Sequence, residues 1–159
     1  MAGNISPRPA VSDATVREGS GRLLALNLLI SLRPGQWTKN LLVFAALIFA
    51  VKLFDPASVI VSVQAFVIFC ALSSVVYLIN DVADRENDQQ HPLKRRRPIA
   101  AGTLTVPVAL AAAGVIGAIA LGASVALGWR FAAVSTAYLA LLALYSWPLK
   151  HIVIVDVLT

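Results

Sequence analysis

Residues 77–102, YLINDVADRENDQQHPLKRRRPIAAG, contain the densest charge of the chain and lie between two long apolar segments. Four of the eight acidic residues fall within positions 81–88, and four consecutive basic residues occupy positions 94–97. A short, highly charged segment between long apolar runs is typical of a loop that joins two membrane helices. The two apolar segments that flank this stretch therefore decide the fold class.

The composition of the whole chain indicates that a bilayer, rather than water, surrounds most of it. The 159 residues are 58% hydrophobic and 13% charged, and the mean hydropathy is +0.80. A soluble domain is about 45–50% apolar and about 25% charged, so a soluble fold of this size could not bury so much apolar surface. The single cysteine, Cys70, excludes an internal disulfide. We expect the net charge of +5 to reflect membrane orientation, and no nucleic-acid partner is predicted.

The apolar segments predict an all-α, polytopic transmembrane helix bundle with about four spans plus the start of a fifth. Residues 1–21 are polar and lack an apolar period, which predicts a disordered tail ahead of a transmembrane domain over 22–159. Residues 23–32 are too few to span a bilayer and predict an interfacial helix. The predicted spans are 37–54, 57–79, 103–128 and 131–149, followed by an apolar run over 151–159. Because that run stops unfinished, we expect the sequence to be a fragment of a longer protein.

The distribution of lysine and arginine predicts which ends of the spans face the cytoplasm. With the N-terminus inside, eleven of the thirteen basic residues are cytoplasmic, and only Lys52 and Arg130 lie outside. This asymmetry satisfies the positive-inside rule. The chain is therefore expected to be a multi-pass plasma-membrane protein with its N-terminus and the charged loop in the cytoplasm.

Acidic residues at helical spacing predict a divalent-metal site. If the second span continues as a helix past the membrane, Asn80, Asp84 and Asp88 share one face. Stacked like charges destabilise a helix, so a cation would offset their repulsion. Carboxylate and amide oxygens suit Mg²⁺, which also keeps waters and substrate phosphates as ligands. The alternative is a solvated helix end in which Asp81 pairs with Arg85 one turn later.

The basic residues that follow predict a phosphate-binding loop. His91 and Pro92 break the helix before the bases at 94–97, and arginine presents a planar fork that suits phosphate. Acids that hold Mg²⁺ beside bases that hold phosphates would meet the needs of diphosphate chemistry, because both offset the charge of a leaving diphosphate. The alternative is that the bases anchor the loop to anionic lipid.

Two motifs in this stretch resemble those of a known family. NDVADREND resembles the NDxxDxxxD aspartate-rich motif of the UbiA-type membrane prenyltransferases, with Asn80, Asp81, Asp84 and Asp88 in the motif positions. RRPIAAG is similar to the family's RP(I/L)xxG continuation. Taken with RPGQWTKN upstream, HPLKRRRPIAAG resembles one branch, the decaprenyl-phosphate phosphoribosyltransferases. The resemblance runs from about Arg33 to the end of the chain.

The resemblance implies an all-helical bundle of about nine spans around a cytoplasm-facing cavity, with a second aspartate-rich segment in the later half. The sequence ends before that segment, so this chain alone is expected to be inactive. For the parent enzyme, the resemblance implies Mg²⁺-dependent transfer of 5-phosphoribose from phosphoribosyl diphosphate to a polyprenyl (decaprenyl) phosphate, for cell-wall arabinan precursors. An aromatic polyprenyltransferase with a 4-hydroxybenzoate-like acceptor is one alternative, and a non-catalytic membrane protein or transporter is another. Homo-oligomerisation is left open.

The candidate site residues follow from the motif positions and from the charges around them. Asp84 and Asp81 are the expected catalytic carboxylates. The metal ligands would be Asn80, Asp84 and Asp88, with Asp81 as a further ligand or an orienting residue.

The candidate phosphate-binding residues are basic and lie near the cytoplasmic ends of the predicted spans. They are Lys39, Lys94, Arg97, Arg33 and Lys150. For several of them an anchor at the membrane interface is the alternative interpretation. The tryptophans Trp37 and Trp129 are also predicted to be interface anchors.

Overall fold

A long central helix, α3, organises the elements that pack around it. The structure, a computed structural model, describes the backbone of residues 13–144 and the side chains of residues 20–144. In chain order the elements are α1 (Asp13–Leu32), the 3₁₀ helix η1 (Pro34–Phe44), α2 (Ala45–Phe49), α3 (Pro56–Ala83), α4 (Arg85–Gln90), the 3₁₀ turn η2 (Lys94–Arg96), α5 (Val106–Leu127) and α6 (Trp129–Leu144). Every described element is helical, which confirms the predicted all-α class.

Two of these helices are long and apolar enough to cross a bilayer. They are α3, with 28 residues, and α5, with 22 residues. The predicted span over 57–79 lies within α3, and most of the span over 103–128 lies within α5. The shorter apolar helix α6 contains the first part of the span over 131–149. The rest of that span and the apolar run over 151–159 lie outside the described residues.

The predicted first span, over 37–54, is not one continuous α-helix. It is divided between η1 and α2, and α2 ends after five residues. Val51 then adopts a left-handed φ of 56°. The amides of Val51 and Lys52 donate to the carbonyls of Ile48 and Leu47 over 3.1 and 3.0 Å, which are the paired bonds of a Schellman motif. This C-cap, rather than a composition change, stops the helix.

The N-terminal helix begins ahead of the apolar run over 23–32. Helix α1 begins at Asp13, so residues 13–21, which were predicted to be part of a disordered tail, are helical. The predicted interfacial helix over 23–32 is the second half of α1. Residues 1–12 lie outside the described part of the chain.

Small residues allow α5 to pack closely on α3. At Gly117 of α5, an added Cβ would lie 3.7 Å from Cγ2 of Val75 on α3, which is ordinary contact distance. Leu78 of α3 is fully buried with Ile99 and Leu104, which precede α5, and these side chains form the core at this end. The buried positions of α5 are Ala109, Ala113, Gly117, Ala120 and Ser124. Their size and spacing fit the close helix approach that an Ala/Gly-rich membrane helix permits.

The two ends of α3 differ in chemistry. α3 begins at Pro56, a favourable first residue because proline lacks the N–H that a helix leaves unpaired there. The Ser58 hydroxyl donates to Oδ2 of Asp55 over 2.5 Å, and this hydrogen bond is the main cause that lowers the pKa of Asp55. The 28 residues of α3 extend over about 42 Å. The acidic residues at 81–88 therefore lie at the opposite end of the bundle.

Candidate functional site

The acidic motif forms a helical turn with a single break at the end of α3. α3 ends at Ala83, and Asp84, with φ −85° and ψ 2°, joins it to α4. Helical hydrogen bonding continues across the joint, because the amide of Asp84 donates to the carbonyl of Asn80 and that of Asp88 to the carbonyl of Asp84, each over 2.8 Å. These three residues therefore follow one another by one turn, as the spacing predicted.

Asp81 is buried at the end of α3 and accepts hydrogen bonds from two arginines. Only 3% of the surface of Asp81 is exposed. Its Oδ1 lies 2.5 Å from Nη2 of Arg33 and 3.2 Å from Nη1 of Arg97. The Arg33 guanidinium also lies over the ring of Tyr77, 4.9 Å from the ring centroid. These pairs are what a buried carboxylate requires, because an unpaired buried charge is strongly destabilising.

Asp88 is paired in the same way, through the same arginine. It is 2% exposed, and its Oδ2 accepts a hydrogen bond from Nη1 of Arg97 over 2.6 Å. One guanidinium nitrogen thus bridges a carboxylate of α3 and a carboxylate of α4. Two arginines and two aspartates form a connected set with a formal charge of zero. We call Arg33, Asp81, Asp88 and Arg97 the Arg–Asp network.

The loop that carries Arg97 is fixed by hydrogen bonds to its neighbours. Gln89 Nε2 of α4 donates to the carbonyl of Ala100 over 3.2 Å, and Asn27 Nδ2 of α1 donates to the carbonyl of Thr103 over 3.3 Å. Gly102 has a left-handed φ of 77°, which turns the chain toward α5. These bonds hold the loop, and with it Arg97, against the end of the bundle.

The remaining bases of the KRRR run are exposed on η2. His91 shapes this turn, because its Nδ1 accepts from the amides of Leu93 and Lys94 over 3.2 and 3.3 Å. It lies in the turn between α4 and η2, where the sequence predicted that the helix breaks. The side chain of Lys94 is exposed to solvent and lies apart from the Arg–Asp network.

A cavity of about 330 Å³ opens beside the acidic turn, between η1, α3 and α6. Lys39 of η1 and Asn80 of α3 both line it, so a residue predicted to bind phosphate and a residue predicted to bind metal share one space. Tyr77 of α3 and Tyr138 of α6 add polar hydroxyls to its wall. A ligand in this cavity could therefore contact both candidate groups.

Hydrogen bonds join η1, which carries Lys39, to α3 and α1. Trp37 Nε1 donates to Oγ of Ser74 over 2.9 Å, and Ser74 Oγ lies 2.9 Å from the carbonyl oxygen of Leu32 at the end of α1. Trp37 therefore joins two helices, whereas Trp129 is 75% exposed, in keeping with the position of an interface residue. The RPGQWTKN segment is held against α3 by side-chain hydrogen bonds as well as by apolar contacts.

Asn40 and Ser73, which were not identified from the sequence, also line the cavity. Asn40 Nδ2 donates to Oγ of Ser73 over 3.3 Å, and the Tyr138 hydroxyl donates to Oδ1 of Asn40 over 3.4 Å. Asn40 thus connects η1 to both α3 and α6. The signal that could have indicated these residues is their polarity inside apolar runs, where an unpaired polar group is costly.

The predicted site residues therefore separate into three sets. Lys39 and Asn80 line the cavity, and half-buried Asp84 follows Asn80 by one turn. Lys94 is exposed on η2, and Lys150 lies outside the described residues. The four other predicted residues form the Arg–Asp network and contact one another.

The oxygen donors at this end fit a divalent cation with substrate phosphates as partner ligands. Asn80, in the cavity wall, and Asp84, one turn further along, carry hard oxygen atoms. Mg²⁺ commonly takes one or two carboxylates and completes its shell with water and phosphate. Asp88, the third predicted ligand, is bonded to Arg97 in the structure. Across residues 20–144, no three His, Cys, Asp or Glu side chains cluster closely enough to hold a metal by themselves.

Taken together, the fold and site define a membrane protein, built of apolar helices around a cavity with both polar and apolar lining, beside buried ion pairs. Residues 22–159 match the model of the UbiA prenyltransferase family. The match covers most of the sequence, so the chain belongs to the UbiA prenyltransferase family. Proteins of this family generally depend on a divalent metal. The membership confirms the resemblance that the NDxxDxxxD motif indicated.

Curated relatives narrow the similarity to one branch of that family. The chain is 40% identical to a decaprenyl-phosphate phosphoribosyltransferase of Mycolicibacterium smegmatis over 149 residues, which are 91% of this chain and 47% of the relative. Proteins of the same name from Corynebacterium glutamicum and Mycobacterium tuberculosis are 41% and 38% identical, over 84% and 92% of this chain and 42% and 50% of the relatives. The chain spans about half the length of the curated relatives it matches.

Proposed function

We propose that this chain is part of a membrane transferase that moves 5-phosphoribose from phosphoribosyl diphosphate to a polyprenyl phosphate, with decaprenyl phosphate as the expected acceptor. The observation that carries the proposal is the shared cavity of Lys39 and Asn80, next to Asp84, in a chain about 40% identical to proteins named for this activity. The product would be a lipid-linked phosphoribose that supplies cell-wall arabinan synthesis.

The reaction requires that an anionic acceptor and an anionic donor meet. A phosphate oxygen of the lipid attacks C1 of the ribose, the bond from C1 to the diphosphate oxygen breaks, and diphosphate leaves with the electron pair. A lysine in the cavity wall suits this chemistry, because its ammonium offsets the negative charge of the phosphates as they approach. We assign this role to Lys39, with exposed Lys94 drawing phosphates toward the site from solution.

A divalent cation, which we propose to be Mg²⁺, would be held by Asn80 and Asp84. When bound, it neutralises the charge that develops on the leaving diphosphate. Asp84, at the joint of α3 and α4, follows Asn80 by one helical turn, which brings a carboxylate and an amide oxygen to the same helix face. Asp88 stays a predicted third ligand, and its use requires that Arg97 release it.

The membrane orientation in this proposal places the acidic turn on the cytoplasmic side. The exposed bases of η2 favour that side under the positive-inside rule. A water-soluble donor would then enter from the cytosol, whereas the lipid acceptor would arrive from the surrounding bilayer. The plasma membrane is the expected location, because the proposed product serves cell-wall synthesis.

The proposal is tested with the full-length protein, purified from membranes and supplied with labelled phosphoribosyl diphosphate and decaprenyl phosphate. We expect formation of a labelled lipid, loss of this product when divalent cations are chelated, and recovery when Mg²⁺ is added. Asp84→Asn should lower the rate by about a hundredfold or more, since it removes a charged metal ligand. Glu86→Gln, at an exposed position of α4, is the matched control and should retain activity.

A second acceptor assay separates the proposal from its main alternative. If the protein instead joins a polyprenyl diphosphate to 4-hydroxybenzoate and leaves phosphoribosyl diphosphate unused, it is an aromatic prenyltransferase. If neither product forms while membrane integration and folding are intact, the non-catalytic alternative is supported and the proposal is wrong.

A further inference from the structure

Arg33 has a backbone conformation that an L-residue rarely adopts. It follows the last residue of α1 with φ 54° and ψ 61°, in the left-handed region. Glycine is the usual residue at such a position after a helix, because a Cβ is unfavourable there. Pro34 adds to the cost, since a residue before proline is disfavoured in helical conformations. An arginine at this position indicates that its side chain contributes something that glycine cannot.

The side chain of Arg33 is directed onto two residues of one helix face. Its Nη2 lies 2.5 Å from Oδ1 of Asp81, and its guanidinium lies over the ring of Tyr77. Tyr77 and Asp81 are one turn apart on α3, so a single guanidinium contacts both of them. The planar, delocalised charge of arginine is suited to combining an ion pair with ring stacking, and lysine is not.

The helix turn that Arg33 holds is the turn that supplies the cavity wall. Tyr77 and Asn80 both line the cavity, together with Lys39. The lining residues, as far as the described chain shows them, do not include Arg33. Its charge is already matched by Asp81, whereas a phosphate-binding cation would present its charge to the cavity. Among the bases predicted to bind phosphate, Lys39 meets that condition and Arg33 does not.

We propose that Arg33 is a positioning residue, which acts through Asp81 and Tyr77 to hold the last turn of α3 and thereby aims Asn80 into the cavity. The left-handed backbone at residue 33 turns the chain so that the guanidinium reaches back to α3. This inference deepens the proposed function and rests on it for its kinetic part. It replaces the expectation that Arg33 binds substrate phosphate.

The test uses four variants of the full-length protein. Arg33→Gln, Asp81→Asn and the double variant that combines these two changes are each compared with the single variant Lys39→Gln. If Arg33 acts through Asp81, the double variant should be no slower than the slower single variant, because residues that act as a unit are non-additive. Arg33→Gln should lower kcat by about tenfold or more and raise the donor KM by less than Lys39→Gln does, since it disturbs the position of Asn80 and leaves the lysine that contacts the donor phosphates in place. Lys39→Gln should instead raise the donor KM by about tenfold, because it removes a charge–phosphate contact.

A binding measurement separates this inference from the proposed function. Calorimetric titration with inorganic diphosphate in the absence of divalent cations should give nearly unchanged affinity for Arg33→Gln and weakened affinity for Lys39→Gln. If Arg33→Gln weakens diphosphate binding as much as Lys39→Gln, and the effects of Arg33→Gln and Asp81→Asn simply add, Arg33 binds phosphate and the inference is wrong. A protein that binds diphosphate in this pattern but transfers no phosphoribose would overturn the function and not the role of Arg33.

The variant Arg33→Gly shows whether a loss of activity in Arg33→Gln comes from the missing guanidinium or from a failure to fold. Arg33→Gly removes the guanidinium and also relieves the backbone strain, so it should fold at least as well as Arg33→Gln. We expect it to lower kcat to a similar extent. Activity equal to that of the unmodified protein in Arg33→Gly would show that the guanidinium positions nothing that the reaction needs.

Discussion

Nη1 of Arg97 lies 2.6 Å from Oδ2 of Asp88, so the RRP segment and the acidic motif are bonded to each other. The two motifs were expected to contact different ligands, a phosphate and a metal. In the structure they pair with one another, because Arg97 forms ion pairs with both Asp81 and Asp88. This pairing explains how two almost fully buried aspartates can coexist at the end of an apolar helix.

Replacing Arg97 by alanine should therefore destabilise the protein. The change leaves Asp88 without its charged partner and Asp81 with one arginine in place of two, so we expect a loss of about 3 kcal/mol, the lower range for breaking a buried pair. The lower range applies because the Arg97 side chain is 28% exposed. Thermal or denaturant unfolding in detergent measures the change.

Arg95→Ala is the matched control for Arg97→Ala. Arg95 is an exposed arginine two positions earlier, and its removal should change the stability by less than about 0.5 kcal/mol. Equal losses for the two variants would show that the Arg–Asp network contributes nothing specific to stability.

The loop that carries Arg97 depends on the conformation of Gly102. At this position φ is 77° and the space around an added Cβ is open, so Gly102→Ala meets a conformational penalty and no clash. We expect a loss of about 1–2 kcal/mol. Gly122→Ala, at an equally open position inside α5, should instead stabilise by about 0.5–1 kcal/mol. Opposite signs in the two unfolding curves are the expected outcome, and two changes of the same sign would contradict it.

The helical class and the helix-spaced acidic motif could be predicted from the sequence because both depend on local pattern. Long apolar runs identified α3 and α5, and a four-residue spacing placed Asn80, Asp84 and Asp88 one turn apart. Membership of the UbiA family could likewise be predicted, because the motifs that indicate it are contiguous in the sequence. Local pattern, in each of these cases, is sufficient because neighbours in the chain are neighbours in the helix.

The partners of the charged residues could not be predicted in the same way. The local candidate for Asp81 was Arg85, one helical turn away, but Asp81 pairs with Arg33 and Arg97, which are 48 and 16 residues distant. The pairing with Arg33 requires a left-handed turn that no glycine marks. A charge pattern gives the number of ion pairs that could form, whereas the backbone path decides which ones do.

The turn after α2 provides a second case of a left-handed residue without a glycine signal. Val51 is 89% exposed and β-branched, and its φ of 56° costs free energy that no buried contact offsets. Val51→Gly should stabilise the protein by about 1 kcal/mol, because the C′ position of a Schellman motif favours glycine. Val63→Gly, at an exposed position inside α3, should destabilise by about the same amount. A loss of stability in Val51→Gly would mean that the valine is held there by contacts with the bilayer.

The hydrogen bond from Trp37 to Ser74 joins η1 to α3. Trp37→Phe removes the indole donor to Ser74 while retaining most of the ring, so it should cost about 1 kcal/mol, the net contribution of one hydrogen bond. Ser74→Ala should cost more, because the Ser74 hydroxyl also contacts the carbonyl of Leu32. In a double-mutant cycle we expect a coupling of about 0.5–1.5 kcal/mol between Trp37 and Ser74, and about zero between exposed Trp129 and Ser74.

The same two variants should affect the cavity, because η1 supplies Lys39 to its wall. If the bond from Trp37 fixes the position of η1, Trp37→Phe should weaken diphosphate binding by a few-fold although Trp37 contacts no phosphate in the proposed site. Trp129→Phe should leave the affinity unchanged. An intact affinity in Trp37→Phe, together with a measurable stability loss, would show that η1 keeps its position without this bond and that the cavity is fixed by the contacts of Asn40 with Ser73 and Tyr138.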